Sequence, residues 1–353
     1  MFCIAFYCLF SKHIEDYCSV FSPVVQSNKE SKMEESKLLR HSYEISSELL
    51  DILLMDRTTG RHILWMTDNY KQFGIGYGEF CEITPKLILR DGMSIIKPRN
   101  EKSQEEQNTR VRDKAEVFTP SWVCNIQNNL VDEEFFGRKD VFNVPEGTEW
   151  TATERVDFGE KNWQKYVTAC RMEISCGEAP YLVSRYDTTT GNTIAIPQRI
   201  GLLDRKLRVV DENCANQNWH CWAKKAFQST YGYEWSGDNL LLARQNLLFT
   251  YIDYFIERFG RLPEEEKLTE IAEIVSWNIW QMDGIKFVIP CSCHEEIISE
   301  SLFDDEVIKH PCEGCMTENA CRHNGIYSNI RDWEKEEVLT AVSMIGGPNG
   351  KRL

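Results

Sequence analysis

Apolar residues recur at helical spacing between residues 36 and 56, at Leu39, Tyr43, Ile45, Leu49, Leu50, Leu53 and Leu54, which predicts an amphipathic helix. Arg61-His-Ile-Leu-Trp-Met66 then reads as a short strand, and Phe73-Gly-Ile-Gly-Tyr-Gly78 as a turn without the Lys-Ser/Thr of a phosphate-binding loop. From Glu101 to Lys114 almost every residue is polar, the pattern of an exposed connector. Beyond it, Thr119 and Pro120 predict an N-cap and the first turn of a helix. Arg171-Met-Glu-Ile-Ser-Cys-Gly-Glu-Ala-Pro-Tyr-Leu182 reads as a strand that runs into a tight Cys-Gly turn. A second strand is predicted over Tyr231–Trp235, followed by a helix capped by Asp238 and bearing Leu241, Leu242, Gln245 and Leu248. Ile271 to Ile285 reads as a helix end feeding a third strand.

These shifts divide the chain. Residues 1–33 are an over-extended start or a disordered leader, 34–100 an N-terminal region and 101–113 the connector. Residues 114–290 form the main domain, 291–330 a Cys/His-rich module and 331–353 a tail, with Gly346-Gly-Pro-Asn-Gly350 frayed. The apolar stretch Met1–Phe10 is too short to span a bilayer and lacks a basic start, so no membrane partner is expected.

Composition narrows the classes. The 353 residues carry a formal net charge of -15, which argues against coating nucleic acid non-specifically. A locally basic cleft remains open, and Arg199, Arg205, Lys206 and Arg208 are its best candidates, against the plainer reading of a solvated edge. Fourteen Cys without a secretory signal point to a reducing cytoplasm, with free thiols or metal ligands in place of disulfides.

The Cys-Gly stretch resembles the first motif of the S-adenosylmethionine-dependent adenine DNA methyltransferases, usually Asp-Pro-Ala-Cys-Gly-Ser-Gly-x-Phe-Leu. Glu173, Cys176, Gly177, Tyr181 and Leu182 fall on its Asp, Cys, first Gly, Phe and Leu, while Ala179 replaces the second Gly. Phe118, Thr119 and Pro120 match the upstream Phe/Tyr-Thr-Pro, which in the family lies beside the methionine end of the cofactor. Gly232-Tyr-Glu234 with Leu242-Ala-Arg-x-Asn-Leu247 resembles the ribose-binding strand and following helix of Type I and Type IIG modification enzymes. Asn278, Ile279 and Asp283 resemble the third-strand motif that sets an Asp near the adenine amino group. The likeness covers roughly residues 114 to 290, about half the chain.

The resemblance implies an α/β fold, a Rossmann-like methyltransferase sheet with helices on both faces, next to a small N-terminal α/β region and a zinc-type module. It implies S-adenosylmethionine over Cys176 and Gly177, Glu234 on the ribose and DNA as partner. A restriction or specificity subunit would act beside it. Two departures stand out. Gly177 and Glu234 are 57 residues apart, more than one helix normally fills, so a structured excursion is expected there. The family's catalytic Asn/Asp/Ser-Pro-Pro-Tyr/Phe is absent, since no Pro-Pro occurs in the sequence, and no catalytic residue is assigned.

A cysteine cluster follows Asp283 instead. Five Cys and three His lie between 291 and 323. Zinc takes four N or S ligands, and a C-x-x-C turn such as Cys312–Cys315 supplies two. Cys291, Cys293, Cys321 and His323 are the candidates to complete a structural site; a loop of unliganded thiols is the alternative. Two functions are therefore carried forward. One is a DNA-modification protein, an adenine methyltransferase or its modification subunit. The other is a non-catalytic methyltransferase fold whose zinc module contacts nucleic acid or protein. A nuclease is disfavoured, because Asp283-Gly-Ile-Lys286 is only a fragment of the usual metal-binding arrangement.

Overall fold

The structure is a computed structural model that describes residues 45–90, 93–103, 105–108, 110, 119–298 and 308–345. The proposed leader, Phe118 and the Gly346–Gly350 segment lie outside the described residues.

Three short parallel strands form the centre: β1 (Arg171–Glu173), β2 (Thr230–Glu234) and β3 (Ile279–Gln281), hydrogen-bonded in the order β1-β2-β3. Parallel neighbours need long crossovers. The first runs through helices α3 (Leu202–Asn213) and α4 (Asn216–Gln228), the second through α5 (Gly237–Phe259) and α6 (Glu265–Asn278). The long interval before Glu234 is thus structured, holding two helices where one was the norm. Upstream lie α1 (Ser47–Leu54), capped by the Ser46 hydroxyl accepting from the Leu49 N–H, and α2 (Ser121–Phe136).

The helix predicted over 36–56 is observed as α1, its Leu49, Leu50, Leu53 and Leu54 all buried; residues 36–44 lie outside the described set. Helix α5 is buried from Gly237 to Phe255 along most of its surface, its polar Asp238, Asn239, Arg244, Asn246 and Thr250 included. Its Arg244 is fully buried and donates to the carbonyls of Leu53, Met55, Ser276 and Ile279, tying α1, α6 and β3 together.

Four expectations need correction. Side chains alternate across a strand, so Tyr231, Trp280 and Met282 share one face of the sheet. That face packs not on a helix but on Ile330 and Ala341 of a C-terminal segment that includes the hairpin β4 (Asn329–Asp332) and β5 (Glu337–Thr340). Residues 329–345 are therefore part of the packed domain and not tail. The basic run is neither a solvated edge nor a phosphate cleft: Arg199, Arg205, Lys206 and Arg208 all sit against acceptors. Arg199 pairs with Asp253 at 2.6 Å, Arg205 with Asp132, and Arg208 with Glu212 at 2.8 Å. The Lys206 ammonium donates to Ala169 O, Ser229 O and Ser229 Oγ, and burial pulls its pKa well below the ordinary lysine value.

The connector is likewise not simply exposed. Lys102 and Arg110 are buried, and Arg110 meets the Asp238 carboxylate at 2.7 Å, with the Tyr70 hydroxyl donating to the same oxygen. Burial works against the ionised Asp238, but Arg110 and Lys102 outweigh it and bring its pKa down to about 2. The fourth correction concerns both predicted helix caps: Asp238 lies inside the first turn of α5, behind Ser236 at the cap position, and Thr119 does not cap α2. Pro120 occupies the cap position, and the Asp187 carboxylate from the β1–β2 excursion accepts the Ser121 N–H at 2.7 Å instead.

The Asp132–Arg205 pair carries a stability prediction. Both side chains are almost wholly buried, and Asp132 also accepts from the Tyr166 hydroxyl. Asp132→Ala leaves a buried guanidinium uncompensated, a change that costs about 3–5 kcal/mol. Urea unfolding at neutral pH checks it. A loss below 1 kcal/mol would show that Asn125 and Asn129, which also bond Arg205, satisfy it alone.

Candidate metal centre and ligand-binding edge

The metal-type cluster follows β3. Cys293 lies on the loop after that strand, Cys312 and Cys315 flank the start of a single helical turn (Glu313–Thr317), and His323 follows on the next loop. The four ligand atoms lie within 4.8 Å of one another. The His323 Nδ1 stands 3.6, 3.5 and 3.6 Å from the sulfurs of Cys293, Cys312 and Cys315. Zn–S bonds near 2.3 Å and Zn–N bonds near 2.0–2.1 Å at tetrahedral angles place N and S about 3.6 Å apart. The residues thus fit a tetrahedral Cys3His site, with Nδ1 as the histidine's ligating atom.

Local backbone chemistry makes this approach possible. A Cβ on Gly314 would lie 2.6 Å from both the backbone N and the Nδ1 of His323, and one on Gly325 2.6 Å from Ser292 Oγ and 3.0 Å from Cys293 Sγ. The Asn324 N–H donates to Cys312 Sγ at 3.3 Å. Burial opposes the Cys312 thiolate, yet the N–H groups of Asn324 and Cys315 and the hydrogen bond with His323 outweigh it and bring the thiol down to about 6. Burial and the neighbouring thiols push Cys293 up to about 12, so a metal must displace its proton and binding weakens as pH falls.

Of the six candidate ligands, Cys293, Cys312, Cys315 and His323 come together, while Cys291 and Cys321 do not. Cys291 adopts a left-handed backbone, φ 58°, and is exposed. In Cys291-Ser-Cys293 the two thiols then diverge, and only the second turns toward the cluster. Cys321 is also exposed, its N–H held by the Asn319 side chain.

The second candidate site is the carboxyl edge of the sheet. Glu173 ends β1, Glu234 ends β2, and Asp283 lies two residues past β3. The Cys-Gly turn is stitched onto β2: the Cys176 N–H donates to Tyr233 O at 2.9 Å and the Gly177 N–H to Glu234 Oε2 at 2.8 Å. The other Glu234 oxygen accepts from the Ser236 N–H at 3.1 Å. Glu173 accepts from the Leu182 and Tyr181 N–H groups, 3.1 and 3.4 Å away. Burial pushes both carboxyls up, Glu173 strongly, against the pull of these N–H donors.

Ala179, which replaces the family's second Gly, is fully buried with φ 64°. It holds a left-handed conformation that glycine takes without steric cost. Thr119 is brought to the same turn, through a hydrogen bond with the Tyr181 side chain. Asp283 folds its carboxylate back onto the N–H groups of Ile285 and Lys286 at 3.0 and 3.1 Å.

Several residues at this edge have no signature in the sequence. The Gln281 side chain pairs with both backbone groups of Leu64, each at 2.8 Å, and lays the segment 63–66 across the start of α5; the strand expected over Arg61–Met66 is limited to Arg61–His62. Leu64 O comes so close to Gly237 that a Cβ there would lie 2.0 Å away. Asn278, read as part of the third-strand motif, is spent on structure: its amide donates to Phe227 O and Thr230 O and accepts from the Trp333 indole. No helix among the described residues is long and apolar enough to cross a membrane. No family model matches the chain, and no curated protein or solved structure matches it either.

Proposed function

We propose that this chain binds S-adenosylmethionine at the carboxyl edge of its sheet, as a DNA-modification protein of the adenine-methylating type or its modification subunit. The observation that carries the reading is the placement of Glu173, Glu234 and Asp283 at or just beyond the ends of three consecutive parallel strands, beside the Cys176-Gly177 turn. In open parallel α/β sheets ligands bind outside the carboxyl ends of the strands, and a Gly turn lets the ligand approach backbone. On this reading the sheet is the Rossmann-like half of a methyltransferase. Glu234 offers the ribose the acceptor capacity left beyond that given to the N–H groups of Gly177, Ser236 and Trp235, Asp283 faces the adenine, and Thr119 and Pro120 flank the methionine end.

Zinc is the metal we assign to Cys293, Cys312, Cys315 and His323, in a structural role, because all four positions are filled by protein ligands and none is left for a substrate. The absence of a Pro-Pro clamp from the sequence favours a second reading, in which the fold binds without catalysing and the zinc module contacts nucleic acid or protein.

Glu234→Gln distinguishes a ligand role from a purely local one. It keeps one acceptor oxygen for the turn but removes the charge. It is expected to weaken S-adenosylmethionine binding by about 1.5–3 kcal/mol, roughly 10- to 150-fold in Kd by titration. An unchanged Kd removes Glu234 from the site.

A further inference from the structure

We infer that the metal cluster is the clasp that holds the Asp283 turn in place, so that ligand binding at the carboxyl edge depends on metal loading. This rests on the two site readings above. The turn is closed on itself by the Asp283 N–H donating to Val288 O at 2.8 Å and the Phe287 N–H to Asp283 O at 2.7 Å. Its Gly284 lies against Tyr233 of β2, where a Cβ would meet the ring at 2.6 Å. A small displacement of the turn therefore moves both Asp283 and the wall next to Glu234.

The same turn is bonded directly to the loop that carries His323. The Ser328 N–H donates to Phe287 O at 3.0 Å and the Ile289 N–H to Ile326 O at 2.8 Å, with Val288 bridged to Tyr327. The Tyr327 hydroxyl in turn accepts the His323 N–H and donates to Ala320 O, each at 2.9 Å. Lys286, in the turn itself, sets its ammonium 3.9 Å from the Asp283 carboxylate and near enough to Cys315 to feel its charge. A Zn2+ ion with three thiolates and a neutral imidazole carries one net negative charge, which this ammonium offsets. The path from His323 to Asp283 is thus continuous through hydrogen bonds and chain.

Strain marks the same stretch. Phe287 and Cys291 hold φ of 61° and 58°, left-handed values that a non-glycine residue keeps only where its surroundings over-determine them. Three sulfurs and an imidazole with no cation between them share no bond that fixes the backbone in this way. A bound metal draws Cys293, two residues beyond Cys291, onto the His323 loop and closes the segment at both ends.

The test uses the full chain loaded with zinc, the same protein stripped by a high-affinity chelator, and the stripped protein given zinc again. Hydrogen exchange is read at the amides of Asp283, Phe287, Ile289 and Ser328, with Cys176 and Gly177 as internal controls. Stripping is expected to speed exchange at the first four by about tenfold or more, and to raise the Kd for S-adenosylmethionine by a similar factor, both restored by zinc. The controls should stay protected. Unchanged exchange at the four amides of stripped protein overturns the clasp, as does equal loss at the controls. Tyr327→Phe leaves every ligand in place and is expected to weaken zinc binding about tenfold, with a partial rise in exchange at the turn; no change in either also overturns it. A chain that binds no zinc refutes the metal reading itself. A zinc-dependent turn in a chain that binds no S-adenosylmethionine supports the clasp and refutes only the cofactor reading.

Discussion

Cys312→Ser combined with Cys315→Ser is expected to abolish zinc binding and unfold the segment from Cys291 to Tyr327. Purified wild type should carry one zinc per chain, read by elemental analysis. Structural zinc binding is worth about 10–16 kcal/mol near neutral pH, and in a small module it is folding free energy. Around the metal ligands the module buries little apolar surface: Cys315, Cys321 and Met316 are exposed, and Gly314 and Cys312 are the buried residues at the helical turn. Proteolysis should therefore cut the double variant inside 291–327 while the strands β1–β3 stay intact. Protein purified without chelators that contains no zinc would end the assignment.

The purified chain alone is expected to transfer methyl groups to duplex DNA very poorly or not at all, even when it binds S-adenosylmethionine. The adenine amino group is a weak nucleophile, and its lone pair has to be directed at the methyl. Fixed orientation of that kind contributes about 7–11 kcal/mol in well-arranged systems. In the resembled family a Pro-Pro loop and its aromatic residue provide it, by holding a base flipped out of the stack. Here the segment after Asp283 runs Gly-Ile-Lys-Phe-Val-Ile-Pro-Cys291 into the metal cluster, with no second Pro. A partner chain can supply the missing groups. Incorporation of labelled methyl into duplex DNA measures this. Robust transfer by the single chain would place the catalytic groups near Ile289-Pro-Cys-Ser292.

What the sequence revealed were features carried by short intervals. The Tyr-Gly-Tyr strand and the Leu-rich helix after it were legible because the period switches abruptly from two to about 3.6, and the observed strand, Thr230–Glu234, starts one residue earlier than expected. The Cys312-x-x-Cys315 knuckle was legible for the same reason, since four residues suffice to make it. The order of the acidic strand ends was legible too. Hidden were the contacts between distant residues. Arg205 and Arg199 looked like surface charges because their partners, Asp132 and Asp253, are 73 and 54 positions away. The cap of α2 is an Asp 66 residues downstream, and Gln281 finds Leu64 across 217 residues. Which of Cys291 and Cys293 joins the cluster depends on how the loop folds onto His323, which composition and spacing do not encode.

The claim that the carboxyl edge is a cofactor site is tested most directly by calorimetric titration of the zinc-loaded chain with S-adenosylmethionine. The account predicts saturable binding of one equivalent per chain, with S-adenosylhomocysteine competing for the same site. Absence of binding at millimolar cofactor, in protein whose zinc content and fold are intact, would contradict it.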